Sequence, residues 1–325
     1  MSQPLPLSYG FAGTSKYGQY YRYSGQINVV GVFAALLLGV PAGVLMGAVY
    51  SAAVIYIPYI KLRLCFTILF GMGLGAFPAW LMKKMKVRNI PVSLAVVGVV
   101  TLISYYFSWA SWEAMVLREV SNFAPLVKLL THPLAVLRVA QVIDETGTWT
   151  MGGIDAMKGL PLLIIWSTEA LTVFGGSVLT VKKMLHQPFC EKCGQWCVGP
   201  KVVRRTAATD EALLKTKLEA GDFSYAAGLP QPTSGKFLEF QQHRCVKCAQ
   251  LNTLSVVSRT IVKDRKGRVR KNRKTTVVDK LLISIDDVLK LNPASPVVAA
   301  AAPAAAKPVA AAAARKPLQS PQMLK

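Results

Sequence analysis

The chain has 325 residues and a formal net charge of +22, from 38 Lys+Arg against 16 Asp+Glu. Its hydrophobic fraction is 52 %, only 17 % of residues are charged, and mean hydropathy is +0.37. That balance excludes an ordinary water-soluble globule of this length, and the surplus of positive charge favours anionic partners: lipid headgroups, nucleic acid or an acidic protein.

Residues 1–26 form a polar, Tyr-rich segment with no small-residue cleavage site after a short apolar core. The expectation is an uncleaved signal anchor, with Tyr20, Tyr21 and Tyr23 at the headgroup level.

Four apolar stretches follow, at 27–60, 64–82, 90–110 and 159–181. A helix needs about 20 apolar residues to cross a bilayer. The last three contain 19, 21 and 23 residues and suit one crossing each. The first has 34 residues and no charged turn. It reads as one long tilted helix whose end, Tyr56-Ile57-Pro58-Tyr59, lies in the interface. Gly39, Gly43 and Gly47 share one helix face, as do Gly71 and Gly75. Such faces let backbones approach, either within the chain or in a homodimer seam.

Loop charge sets orientation. The linker 83–88 carries four cations and no acid, whereas 111–158 has four Lys/Arg against five Asp/Glu. The linker and the C-terminal region are therefore expected on the cytoplasmic side, and an even number of spans puts the N-terminus there too. Lys61 and Arg63 run against this pattern. The expected address is a bacterial inner membrane or its equivalent. Within the outer loop, Leu134–Glu145 alternates at helical spacing, as an amphipathic helix on the membrane surface or a lid would.

Glu169 is the only acidic residue in the four stretches and sits close to the middle of the last. A carboxylate in hydrocarbon costs at least ~2.5 kcal/mol, so the neutral acid should seek a hydrogen-bond partner. Thr101, Ser104, Tyr105, Ser167 and Thr168 are candidates. It is either a lock between helices or the working group of a small transporter or channel component.

After the last span, Cys190-x2-Cys193 and Cys245-x2-Cys248 supply four soft ligands, with 51 residues between the inner cysteines. Two such knuckles suit tetrahedral Zn²⁺. Gly194 permits the tight turn, and neighbouring Lys and Arg favour thiolates. Cys197 and His243 are close enough in sequence to stand in as ligands, and read better as bystanders. Four thiolates close the coordination shell, so the zinc is expected to be structural. A redox dithiol is the rival reading. The knuckles resemble those of zinc ribbons in general, which implies metal binding alone.

Between the knuckles, Thr209 can cap a short helix that Gly221 follows. Beyond them, Leu254–Val262 and Thr275–Ser284 are strand-like. The basic run between them is Lys263, Arg265, Lys266, Arg268, Arg270, Lys271, Arg273 and Lys274. It predicts a hairpin with a cationic tip, either solvated or set against anionic lipid. Nucleic acid is disfavoured, because no interleaved aromatics or reading motif accompany the charge. Asp286–Lys290 suggests a last helical turn, and the Ala/Pro-rich residues 293–325 a disordered tether.

No P-loop, dinucleotide glycine pattern, HExxH or GxSxG occurs, and His132, His186 and His243 lie beside no nucleophile. The expected architecture is thus an α-helical polytopic membrane protein with four transmembrane helices over 27–185. A small cytoplasmic α+β zinc-ribbon-like domain covers 186–292 and a disordered tail ends the chain. The leading function is a non-enzymatic adaptor or assembly module that engages a protein partner, the membrane surface or its own copy. The alternatives are transport through Glu169 and, more weakly, membrane thiol oxidoreduction.

Overall fold

The computed structural model describes residues 17–57, 59–116, 124–147, 157–232, 235–263 and 269–291. Four helices in it are long and apolar enough to cross a membrane. They are α1 (Val29–Tyr56), α2 (Ile60–Lys84), α3 (Ile90–Val116) and α6 (Leu160–Leu185). The first stretch is shorter than its 34 apolar residues suggest. Ile57 is extended, at φ −105° and ψ 107°, the conformation imposed on a residue that precedes proline. The chain turns there, and α2 starts at Ile60, so Lys61 and Arg63 belong to a helix rather than a loop.

The bundle is held by small residues. Gly39, Gly43 and Gly47 of α1 face Pro78 and Leu74 of α2 and Val100, Ser104 and Ser108 of α3. Gly71 and Gly75 of α2 lie against the backbone of Val173 and Ser177 on α6, and a Cβ at Gly71 would stand 2.7 Å from the Val173 carbonyl oxygen. Both glycine faces are therefore used inside the chain, as close helix approach in an apolar medium requires. The outward faces stay apolar, with Phe33, Leu37, Leu45 and Val49 on α1 and Leu102 on α3 all exposed. Helices α3 and α6 pack more loosely than α1 does against α2 or α3, or α2 against α6.

Two short helices, α4 (Ala124–Thr131) and α5 (Pro133–Thr146), meet at 114° in the segment between α3 and α6. The expected helix over 134–145 is α5, and Gly147 ends it with a positive φ of 81°. Leu129 and Val136 bury against Ala110 and Ala114 of α3, while Leu134, Leu137 and Val142 remain exposed.

At the opposite end of the bundle stands a four-stranded antiparallel meander: β3 (Val198–Ala207), β4 (Lys236–Arg244), β5 (Asn252–Lys263) and β6 (Val269–Ile283), in that order across the sheet. A two-residue pair, β1 (Phe189–Cys190) and β2 (Gln195–Trp196), precedes it. Helices α7 (Glu211–Glu219), α8 (Phe223–Gly228) and α9 (Ile285–Leu291) complete the unit. Leu238 and Phe240 alternate along β4 into a core shared with Leu214, Leu218, Phe223, Leu254, Val278, Leu281, Val288 and Leu291. The cap of α7 is Asp210, one residue later than expected, because its carboxylate reaches the amides of Ala212 and Leu213. The tail beyond 291 lies outside the described residues.

The Tyr-rich N-terminal segment is tied to the sheet unit. Its backbone pairs with the edge of β6, where Tyr21 N donates to Lys280 O and Leu282 N to Gln19 O, at 2.9 and 2.8 Å. Tyr20 Oη donates to Glu219 and Tyr23 Oη to the His186 carbonyl. The tyrosines join the sheet unit to the helix bundle, because their hydroxyls find carboxylate and carbonyl acceptors there.

Candidate metal centre

Local chain chemistry builds both knuckles. In the first, Cys190 ends β1, and the turn through Glu191, Lys192 and Cys193 returns at Gly194, whose φ is +60°. In the second, Cys245 follows the last residue of β4. The turn closes with Ala249 N donating to Cys245 O and Cys245 N to Leu251 O. Ala249 occupies the position equivalent to Gly194 at φ +51°, where a Cβ is disfavoured. Asn252 Nδ2 donates to the Ala249 carbonyl at 2.7 Å and braces that turn.

The four sulfurs of Cys190, Cys193, Cys245 and Cys248 all lie within 4.8 Å of one another. Cys190 Sγ is 3.7 Å from Cys248 Sγ, and a tetrahedral Zn–S bond of about 2.3 Å implies sulfur–sulfur edges of about 3.8 Å. The donor set and spacing fit a divalent soft metal. Burial pushes the Cys190 thiol up. Burial also opposes ionisation of Cys245, but the Cys248 amide, the Gln195 side chain and the Lys247 amide outweigh it and bring Cys245 down to about 6. A metal bound there would displace thiol protons. Gln195 Nε2 reaches Cys245 Sγ at 3.4 Å from the opposite knuckle, and Lys192 Nζ bonds Gln250 across the same gap. Such outer partners fix ligand orientation.

Cys197 is buried against Cys190 and Cys245 but stands outside the four-sulfur group. Burial pushes its thiol up to about 12. His243 is also outside the group. Burial holds its ring down to about 4, and Nδ1 has no hydrogen-bond partner among the described residues.

The first knuckle is wired into the bundle. Trp196 Nε1 donates to the Lys83 carbonyl at 2.9 Å, and Lys83 Nζ to Gln187 at 2.7 Å. Arg88 pairs with Glu191 and lies over the Phe189 ring. Phe189 N donates to Tyr21 Oη at 2.9 Å. Trp196 also packs beside the cluster of Val87, Val181 and Leu185 at the ends of the helices. The cations of the 83–88 linker, legible as orientation signals, act as bonding groups at this seam. No known protein family, curated protein or solved structure matches the chain.

The other singled-out residues lie elsewhere. The hairpin is β5–β6, but β6 starts at Val269, so Arg270, Lys271, Arg273 and Lys274 stand on a strand and not at a tip. Arg273 pairs with Thr260 and Lys274 with Arg259 in the ladder. Lys263 ends β5, while Arg265, Lys266 and Arg268 lie outside the described residues. Glu169 does not bond to Thr101 or Ser104, whose hydroxyls have no partner among the described residues. It lines one pocket with Tyr50 of α1 and with Arg63 and Thr67 of α2. A second carboxylate, Glu113, enters the buried part of α3 because that helix runs six residues past the apolar stretch. Its oxygens have no hydrogen-bond partner among the described residues.

Proposed function

We propose that the chain is an integral membrane protein, with both termini cytoplasmic, that works as a non-enzymatic adaptor or assembly module. A structural Zn²⁺ on Cys190, Cys193, Cys245 and Cys248 would organise its basic domain. The observation that carries this reading is the mutual approach of four sulfurs contributed equally by two knuckles. One knuckle is bonded to the helix bundle and the other is continuous with the sheet. A metal there clasps the two parts. With four protein ligands no coordination position is left for water or substrate.

Cations surround the site, with Lys192 and Lys247 inside the knuckles and Lys86 leaning over Gly194. They offset the net negative charge of a tetrathiolate centre. The same end of the molecule then presents a fixed polar surface beside the inner leaflet, suited to a protein partner or to anionic headgroups.

The test is metal analysis of the purified full-length protein together with partner capture. One zinc per chain is expected. A partner held by the intact protein should be lost on deletion of 186–292 and on Cys245→Ser. A reversible dithiol titration without stoichiometric metal would instead support the oxidoreductase reading.

A further inference from the structure

A cavity of about 230 Å³ opens at the end of the bundle away from the sheet, between α1, α2, α3 and α6. Trp109 and Trp112 of α3 and Trp166 of α6 line one side, across a loosely packed helix seam. Their rings meet edge to face, with Trp109–Trp166 centroids 5.1 Å apart and Trp109–Trp112 centroids 5.7 Å apart.

Polar groups enter from the other helices at two levels. Tyr50 Oη, Thr67 Oγ1 and Glu169 form the inner level. Tyr50 Oη and Thr67 Oγ1 are 3.0 Å apart, and Glu169 lines the same pocket. Arg63 lies one helical turn nearer the bundle end, above Thr67, whose hydroxyl donates to the Arg63 carbonyl. The Arg63 side chain is held there by Nε donating to Ile57 O at 3.0 Å.

The walls are mostly apolar, and the pocket brings an acid, Glu169, and a cation, Arg63, to two levels, where a ligand ammonium beside Glu169 would hold that acid ionised. A lone cation would gain from the acid and lose against the guanidinium, and a lone anion the reverse. A ligand with both charges, aligned against this pair, gains at both ends, and the gain is amplified where water is scarce. The aromatic wall supplies area for a flat or branched apolar body.

We propose that this cavity is a binding site for a small zwitterion of the α-amino-acid type with an apolar side chain. Its ammonium meets Glu169 and Tyr50, its carboxylate faces Arg63, and its side chain lies on the three indoles. Three of the chain's six tryptophans line the site, so binding should perturb intrinsic emission.

The experiment titrates full-length protein in nanodiscs with phenylalanine, phenethylamine and 3-phenylpropionate, which share one aromatic body. Emission is excited at a wavelength phenylalanine does not absorb. Phenylalanine should give a saturable change at a concentration at least about tenfold lower than either single-charge analogue. Glu169→Gln should weaken phenylalanine binding at least about tenfold, and Trp112→Leu by about threefold or more. The second variant leaves the charges intact and guards against misfolding of the first. Equal binding of the amine, equal binding of the acid, or no saturable change in the unsubstituted protein would each overturn the proposal.

Discussion

The helix bundle and the sheet unit reach order by opposite means. The bundle turns its large apolar side chains outward and brings helices together through glycine, so that at Gly71 and Gly75 backbone touches backbone. The sheet unit turns Phe240, Leu238 and Leu214 inward and carries charge outside. Its two loop ends are gathered by sulfur. Where lipid is the surrounding medium, apolar burial drives nothing and close fit decides. Where water is, burial drives folding, and a metal on the four cysteines would add what a small core lacks.

The largest expected effect separates the two regions. Cys245→Ser, or strong chelation, should release the knuckles and make 186–291 sensitive to protease while the helices remain intact. Structural zinc contributes on the order of 10 kcal/mol to such modules. Limited proteolysis with far-ultraviolet circular dichroism reads both halves at once. Simultaneous loss of the helices would break the comparison and make the clasp part of bundle stability.

Next is the bundle itself. Gly75→Leu forces a side chain onto the Ser177 backbone and should cost about 1–3 kcal/mol. A lowered thermal midpoint in detergent, with zinc content unchanged, is the outcome that sharpens the distinction.

The two knuckles offer a smaller, paired test. Gly194→Ala places a Cβ at φ +60°, while Ala249→Gly removes one from φ +51°. The first should destabilise and the second stabilise, each by about 1 kcal/mol. Chelator concentration at half-loss of metal is a suitable readout, and equal signs would show that the two turns are not equivalent.

The smallest effect concerns the seam. The His186 ring, with Nε2 3.7 Å from Oδ2, aided by the Lys280 charge and Ser255, holds the Asp279 carboxyl down to about 2, against the opposing influence of burial. A depressed acid contributes stability above the ordinary carboxylate range, and that contribution disappears as pH falls through about 2. Asp279 is half exposed, so solvent and salt screen the effect. Asp279→Asn should lower the melting temperature slightly at pH 7 and converge with the unsubstituted protein near pH 2, so that the acid limb measured between pH 2 and 5 is flatter.

Much of this was legible in residue order. Length and hydropathy mark all four long helices, because a long apolar helix needs only composition. The thiol spacing marks the four-cysteine cluster, because cysteine pairs on tight turns are local. What escaped has a common cause. Strands β3 and β4 lie between the knuckles, and Val198–Ala207 is interrupted by Gly199, Pro200 and charged Arg204 and Arg205, which mask its alternation. In β4, the pattern Phe237-Leu238-Glu239-Phe240 could have been found. Glu113 hid past the end of an apolar run, where only helix length reveals its burial. The residues that share a pocket with Glu169, Tyr50 and Arg63 among them, come from other helices, and no spacing rule connects them. The bonds that tie the N-terminal tyrosines to β6 and Glu219 escaped as well, because they join residues some 200 or more positions apart.

The pairing of Tyr20 with Leu281 has a consequence for biosynthesis. The opening segment must wait for the last strand, which the ribosome makes some 260 residues later. Until then it is accessible to chaperones, proteases or acetylating enzymes. Truncated or stalled products would keep this latch open, giving the cell a simple mark by which to tell an unfinished copy from a mature one.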